Sequence, residues 1–212
     1  MHETPLTPEA LLAAYARGYF PMADSRQGDE LRWYSPLQRG VLPLDERFHI
    51  PRSLKKFMKH CPYEVRVDTV FGEVIRACAD VRTQTRQDTW INDRIIGLYE
   101  TLAKRGDAHS VECWHKGKLV GGLYGISISG AFFGESMFSH MPHASKVALV
   151  HLVECLRRAG YRLLDTQYVN DHLRQFGVME ISRMDYLEYL EKALNTSPNP
   201  STRFLIASDI KS

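Results

Sequence analysis

The sequence is poor in the groupings that announce common chemistries. Its four cysteines, Cys61, Cys78, Cys113 and Cys155, are widely spaced and form no Cys-x-x-Cys pair. That excludes a thiolate zinc site and a dithiol redox motif, and it suits reduced thiols in a cytosol. There is no His-Glu-x-x-His among the nine histidines and no Gly-x-Ser-x-Gly elbow, so neither a zinc hydrolase nor a serine hydrolase is expected, and no metal site. No run approaches the roughly 18 apolar residues of a membrane span. Met1-His2-Glu3-Thr4-Pro5 has no basic region before an apolar core, so the expectation is a soluble cytoplasmic protein without membrane contact. Charge is nearly balanced, at +2 with a pI near 8.3, so any contact with nucleic acid must come from local clustering. Internal repeats and low-complexity tracts are absent.

What is present is an ordinary globular composition, 44% hydrophobic and 25% charged over 212 residues, enough to bury a real core. Thr7-Pro8-Glu9 reads as a helix cap, a first-turn proline and an acid facing the helix dipole. The helix carries Leu11, Leu12 and Tyr15 and stops at Gly18. A polar loop with a turn at Gln27-Gly28-Asp29 precedes a short aromatic strand, Leu31 to Tyr34. The stretch up to Pro43 holds too few apolar residues for a core of its own, so residues 1–43 are expected to form a small N-terminal domain appended to a larger unit, 44–212.

In that unit Ser53 is expected to cap a helix with Leu54, Phe57 and Met58 inward, and Tyr63 to Val67 alternates as a strand. Asp68 is placed to cap a helix carrying Phe71, Val74, Ile75 and Cys78, and Asn92 one carrying Ile95, Leu98, Tyr99 and Leu102. A polar loop, Asp80 to Asp88, separates the two. From Ala108 the period becomes two: Ser110–His115, Leu119–Ser127 and Ala131–Phe138 read as a meander with turns at Lys116-Gly117 and Ser129-Gly130. A helix over Ser145–Arg158, a strand to Gln167, a short helix, a short strand and a last helix to Leu194 follow, with a loose tail after Thr196. The fold class is α/β (α+β), and the order β-α-α-β-β-β-α-β-α-β is that of the acyltransferase fold of acetyl-CoA-dependent N-acetyltransferases. Those enzymes cradle pyrophosphate on a glycine-rich loop, whereas Ser139-His140-Met141-Pro142-His143-Ala144 has no glycine and loses a donor at Pro142. Something other than coenzyme A is expected to carry the acyl group, and no cofactor is expected.

Two carboxylates stand among apolar residues: Glu135 in Phe132-Phe133-Gly134-Glu135-Ser136-Met137-Phe138 and Asp165 in Leu163-Leu164-Asp165-Thr166-Gln167. Burying an ionised carboxylate without a partner is costly, so such acids signal either buried arginine partners or a reaction centre. The two-residue period places Gln167 on the same face as Asp165.

The chain resembles the bacterial leucyl/phenylalanyl-tRNA–protein transferases. The resemblance runs through Gly18-Tyr19-Phe20-Pro21, Trp33-Tyr34-Ser35-Pro36 with Arg39, Ile50-Pro51-Arg52-Ser53-Leu54, Thr89-Trp90-Ile91 and Ala108-His109-Ser110-Val111-Glu112. It is strongest in Leu119-Val120-Gly121-Gly122-Leu123-Tyr124-Gly125, Phe133-Gly134-Glu135-Ser136-Met137-Phe138-Ser139, Ala144-Ser145-Lys146 and Asp165-Thr166-Gln167. It implies transfer of Leu, Phe or sometimes Met from aminoacyl-tRNA to the N-terminal amine of proteins beginning with Arg or Lys, which marks them for N-degron proteolysis. It also implies that Glu135 contacts the donor's α-amino group and that Asp165 and Gln167 sit at the attacking amine. Leu123, Phe132, Leu149, Leu152 and Leu164 would then surround the donor side chain, although each taken singly also suits plain core packing. Trp33, Tyr34 and Trp90 are stacking candidates for the tRNA 3′ end, with interdomain packing as the other reading of Trp33. Arg47, Arg52, Lys55, Lys56 and Lys59, in a run without acids, fit phosphate contact. The protein is expected to be a monomer.

A neutral amide is a poor base, so Gln167 is assigned to orientation, and Asp165 or the terminal ribose of the tRNA remains as proton acceptor. A coenzyme-A N-acetyltransferase and a non-catalytic RNA-binding module are the competing readings. The glycine-free loop opposes the first and the buried acids oppose the second.

Overall fold

The computed structural model describes residues 6–26, 28, 30–80 and 89–199, so the loop from Val81 to Asp88, Gln27 and Asp29 of the expected turn, and the tail beyond Asn199 lie outside the described residues. Along the chain run α1 (Pro8–Tyr15), β1 (Phe20–Ala23), β2 (Leu31–Tyr34), β3 (Gln38–Leu42), α2 (Arg52–Met58), β4 (Glu64–Val67), α3 (Phe71–Ala79) and α4 (Asp93–Arg105). Then come β5 (Ala108–His115), β6 (Lys118–Ile128), β7 (Ala131–Ser139), α5 (Ala144–Ala159), β8 (Leu163–Gln167), α6 (Asp171–Arg174), β9 (Met179–Ser182) and α7 (Arg183–Leu194). After residue 60 this is the expected order. It is a mixed α+β chain consistent with an acyltransferase-like fold.

A seven-stranded sheet, ordered β4-β5-β6-β7-β8-β3-β9, forms the centre, and β1 and β2 make a separate two-stranded ribbon. One face carries a core built with α1, α3, α4 and α7; the other carries one built with α2, α5 and α6. Gln38–Leu42, read from the sequence as part of the small N-terminal unit, pairs with β8 and β9 inside this sheet. This pairing is not visible in the local sequence for a physical reason: Arg39 and Gly40 break the apolar run, and the partners that bury this strand come from more than 120 residues downstream, as in Val41 opposite Asp165.

Local signals account for much of the rest. Thr7 accepts from the Ala10 amide at 3.2 Å and Asn92 from the Ile95 amide at 2.9 Å, each filling a vacant first-turn donor. Two expected caps differ. The helix at 52 begins behind Pro51 without a side-chain cap, so Ser53 lies inside it. Asp68 does not cap α3; the Thr69 and Val70 amides donate to Glu112 of β5 at 3.0 and 3.1 Å. Amides satisfied from a neighbouring strand leave no local pattern. Asp68 accepts instead from the Ser110 amide at 2.7 Å and pairs with His109.

Two irregularities shape the middle of the sheet. β7 and β8 run parallel and pair only from Ala131 opposite Leu163 to Phe133 opposite Asp165, and beyond that no pairing joins them. Against β6 the register passes from Tyr124–Ser136 to Gly125–Gly134, so Glu135 is the extra residue of a β-bulge. Against β3 it passes from Gly40–Gln167 to Val41–Asp165, so Thr166 is extra on β8. A Cβ on Gly125 would lie 2.3 Å from the Phe133 carbonyl oxygen and 2.4 Å from the Phe132 ring, so glycine is needed opposite the first bulge. Gly125→Ala should therefore lower the melting temperature while leaving the helical circular-dichroism signal intact; an unchanged melting temperature would show that the bulge absorbs the methyl.

Candidate active site

Where β7 and β8 part, a cavity of about 500 Å³ opens, lined by both strands, by α5 and by the segment around α6. Glu135 and Gln167 line it, and so do Leu123, Leu149, Leu152 and Leu164. These residues are scattered over more than 40 positions of sequence, and strand divergence gathers them. Phe132, fully buried, packs in the same core behind this wall and does not line the cavity. Tyr124, Met137 and Phe138 complete the apolar side.

The bulge turns Glu135 toward two tyrosines. Tyr15 of α1 donates to one carboxylate oxygen at 2.8 Å, Tyr99 of α4 donates to the other at 3.2 Å, and the two hydroxyls lie 2.5 Å apart. Burial pushes the Glu135 carboxyl up to about 8; the tyrosine hydrogen bonds and Arg39 oppose that shift, and Asp165 reinforces it. Below that pH, Glu135 holds a proton.

Asp165 is differently placed. Its side chain is 0% exposed, and both oxygens are engaged: Arg39 donates at 2.9 and 2.6 Å, Tyr186 at 2.8 Å and the Gln167 amide at 2.8 Å. Those four bonds fill a carboxylate's capacity. Arg39, 1% exposed, also donates to the Gly18 carbonyl at 3.1 Å and lies between the rings of Phe20 and Tyr186 at 4.6 and 4.4 Å. Asp165 does not line the cavity. The bulge at Thr166 breaks the two-residue period, so Gln167 reaches the cavity while Asp165 faces Arg39. Gln167 itself sits at φ +58°, a left-handed conformation uncommon outside glycine, held by its amide bond to Asp165.

Among the described residues, three polar atoms at this site are buried without a partner: Thr166 Oγ1, Gln167 Nε2 and His172 Nε2. Burial, aided by Lys146, holds His172 below the ordinary imidazole range, which favours the neutral ring. Unsatisfied groups of this kind are what a bound substrate would pair.

Of the three aromatic candidates, Trp90 lines the cavity. Trp33 and Tyr34 lie on β2, where Trp33 is exposed and Tyr34 stacks on Phe20 at 5.9 Å; neither borders the cavity. Arg52, Lys55 and Lys56 are exposed on α2 and Lys59 is exposed at its C-cap, whereas Arg47 precedes that helix and is paired with Asp45.

Residues absent from the sequence-derived site are Tyr15, Tyr99, Tyr186 and His172, with Arg39 present there only as part of a matching motif. The tyrosines fall on the apolar stripes of their helices, where nothing in the spacing separates a core ring from one whose hydroxyl holds a carboxylate.

The family described as leucyl/phenylalanyl-tRNA protein transferase matches residues 41–191, and its N-terminal domain matches residues 4–37. The chain belongs to the leucyl/phenylalanyl-tRNA–protein transferase family. Relatives described by that name include one from Caulobacter vibrioides, 59% identical over 190 residues that span 90% of this chain and 87% of the relative. Another, from Paramagnetospirillum magneticum, is 55% identical over 90% of each chain, and one from Rhizorhabdus wittichii is 53% identical over 89% of this chain and 75% of its own length. Relative to the family's two matched stretches, the site is composite: Tyr15 comes from the N-terminal one, Glu135 and Gln167 from the larger one, and Arg39 lies between them.

Proposed function

We propose that this chain is a tRNA-dependent aminoacyltransferase that moves Leu or Phe, and also Met, from aminoacyl-tRNA to the N-terminal α-amine of proteins beginning with Arg or Lys, marking them for N-degron proteolysis. It would act as a cytoplasmic monomer. The observation that carries this reading is one cavity that joins an apolar wall to Glu135 and Gln167, on a sheet whose parting strands suit acyl transfer. In the family, the names of the relatives specify the donors.

Leu123, Leu149, Leu152 and Leu164 take the donor side chain, and discrimination there rests on packing worth about 1–3 kcal/mol per methylene-sized change. Glu135 meets the donor's α-amino group, and the proton held on Glu135 below pH 8 passes to that amine as the ion pair forms. The ester is already activated, so the remaining work is orientation and stabilisation of the tetrahedral oxyanion. The neutral acceptor amine attacks the carbonyl carbon, the C–O bond to the ribose breaks, and the amine's proton leaves with the ribose oxygen as a hydroxyl. Because Asp165 has no free oxygen, it is a positioning residue here: with Arg39 it fixes the backbone that presents Gln167. Gln167 supplies a hydrogen-bond donor to the developing oxyanion. Trp90 offers a stacking surface for the terminal base, while the exposed cations of α2 meet the phosphate backbone.

The test is transfer of labelled leucine from Leu-tRNA to a peptide beginning with Arg. Transfer without acetyl-CoA is expected, and Gln167→Ala should lower kcat about 100-fold while tRNA affinity stays within about twofold. Acetyl-CoA-dependent acetylation of the peptide, or tRNA binding without transfer, would overturn the reading.

A further inference from the structure

Three segments far apart in sequence, residues 51–60, 115–118 and 139–146, contain no Asp or Glu. Together they carry Arg52, Lys55, Lys56, Lys59, Lys116, Lys118 and Lys146, with His60, His115, His140 and His143 among them. In a chain of net charge +2 this is a marked local excess. The fold brings all three to one end of the large sheet. That end holds the start of β4, the β5–β6 turn, the start of β6 and the end of β7, since Glu64 pairs with Trp114, His115 with Lys118 and Gly121 with Ser139.

Direct contacts join the segments. The Phe57 ring of α2 lies 4.9 Å from the His143 ring, the Tyr63 hydroxyl donates to the Pro142 carbonyl at 2.7 Å, and the Tyr63 ring meets His115 edge-on at 6.2 Å. The His140 amide donates to the Val120 carbonyl at 2.8 Å, which fixes the loop against β6 two residues from Lys118. Arg52, Lys55, Lys56, Lys59, Lys116, Lys118 and His140 are exposed, and among the described residues none of these lysines, nor Arg52, is in an ion pair. The exposed acid nearby, Glu64, is held by Arg66 at 2.8 Å. The loop then runs into the cavity, because Ser139 and Ser145 line it.

We propose that this end of the sheet is one continuous RNA-binding surface extending beyond α2, in which Lys116, Lys118 and His140 contact the acceptor arm of the tRNA and the 139–145 loop leads its 3′ end into the cavity. Charge complementarity selects the partner: unpaired exposed cations in an acid-free field suit a phosphate backbone, and the surface ends at the site where the donor ester must arrive. The proposal deepens the transferase reading and rests on it.

Two donors separate the proposal from that reading: full-length Leu-tRNA, and leucyl-adenosine, which fills the cavity but cannot reach the surface. For Lys116→Glu/Lys118→Glu, KM for Leu-tRNA should rise about tenfold and the salt dependence of tRNA binding should flatten by about 0.7–0.9 in log–log slope per lost contact. Transfer from leucyl-adenosine should equal that of the parent. His140→Glu should act in the same direction. The milder Lys116→Asn/Lys118→Gln, which suits the left-handed backbone at Lys116 (φ +50°), should give a smaller effect of the same kind and guards against misfolding. An unchanged KM for Leu-tRNA, an equal loss with both donors, or a rise confined to the KM of the Arg-peptide would overturn the proposal. Absence of transfer by the parent from either donor would instead overturn the transferase reading.

Discussion

Arg39→Met should be among the most destabilising single substitutions in this chain. It strands the Asp165 carboxylate, 0% exposed, with only the Tyr186 hydroxyl and the Gln167 amide as donors. Removing one partner of a buried ion pair typically costs about 3–5 kcal/mol, because the remaining charge stays desolvated. For a chain of this size that corresponds to a fall in melting temperature of roughly 6–20 °C. Replacing both partners, in Arg39→Met/Asp165→Leu, should recover much of the loss, since apolar groups of similar volume carry no desolvation penalty. The recovered protein should still transfer leucine poorly, because nothing then holds Gln167 at its positive φ. Thermal denaturation and kcat on the three proteins test this: a double variant with parental turnover would show that the pair serves stability alone, and an Arg39→Met protein with a parental melting temperature would refute the burial argument.

Glu135→Gln should have opposite effects on activity and on stability. A charged hydrogen-bond partner is worth about 1.5–3 kcal/mol, so losing the carboxylate proposed to meet the donor's α-amine should cost about 10–100-fold in kcat/KM for Leu-tRNA. Stability should move the other way with pH. The folded carboxyl titrates near 8 against an ordinary 4.5, so the folded state holds a proton that the unfolded chain has released. No penalty applies below about pH 4.5; it grows as pH rises and is complete above 8. Glutamine imitates the protonated form, so the variant should match the parent near pH 4.5 and exceed its melting temperature at pH 8 and above. A parallel pH dependence in the two proteins would mean that Glu135 is already ionised in the folded protein below pH 8.

Tyr15 and Tyr99 carry the same point from the sequence side. The periodicity of their helices announces that both rings are inward, and both are fully buried. It is silent on the hydroxyls, which converge on one carboxylate from positions 84 residues apart. Gln167 shows where a pattern misleads: a regular strand would place it beside Asp165, and one extra residue on β8 sends the two to different surroundings. Arg39 and Val41 show a third limit. A short strand with an arginine in it reads as peripheral until its partners from the far end of the chain are in place around it.

The order of helices and strands, their caps at Thr7 and Asn92, the turn at Lys116-Gly117 and the family were written in the residues, because each depends on interactions between near neighbours or on motifs read in line. Tertiary structure alone decided which acid faces the cavity and which is spent on an arginine. That choice turns on two bulges and a set of contacts across more than 100 residues, and burial energies of that kind have no counterpart in local spacing.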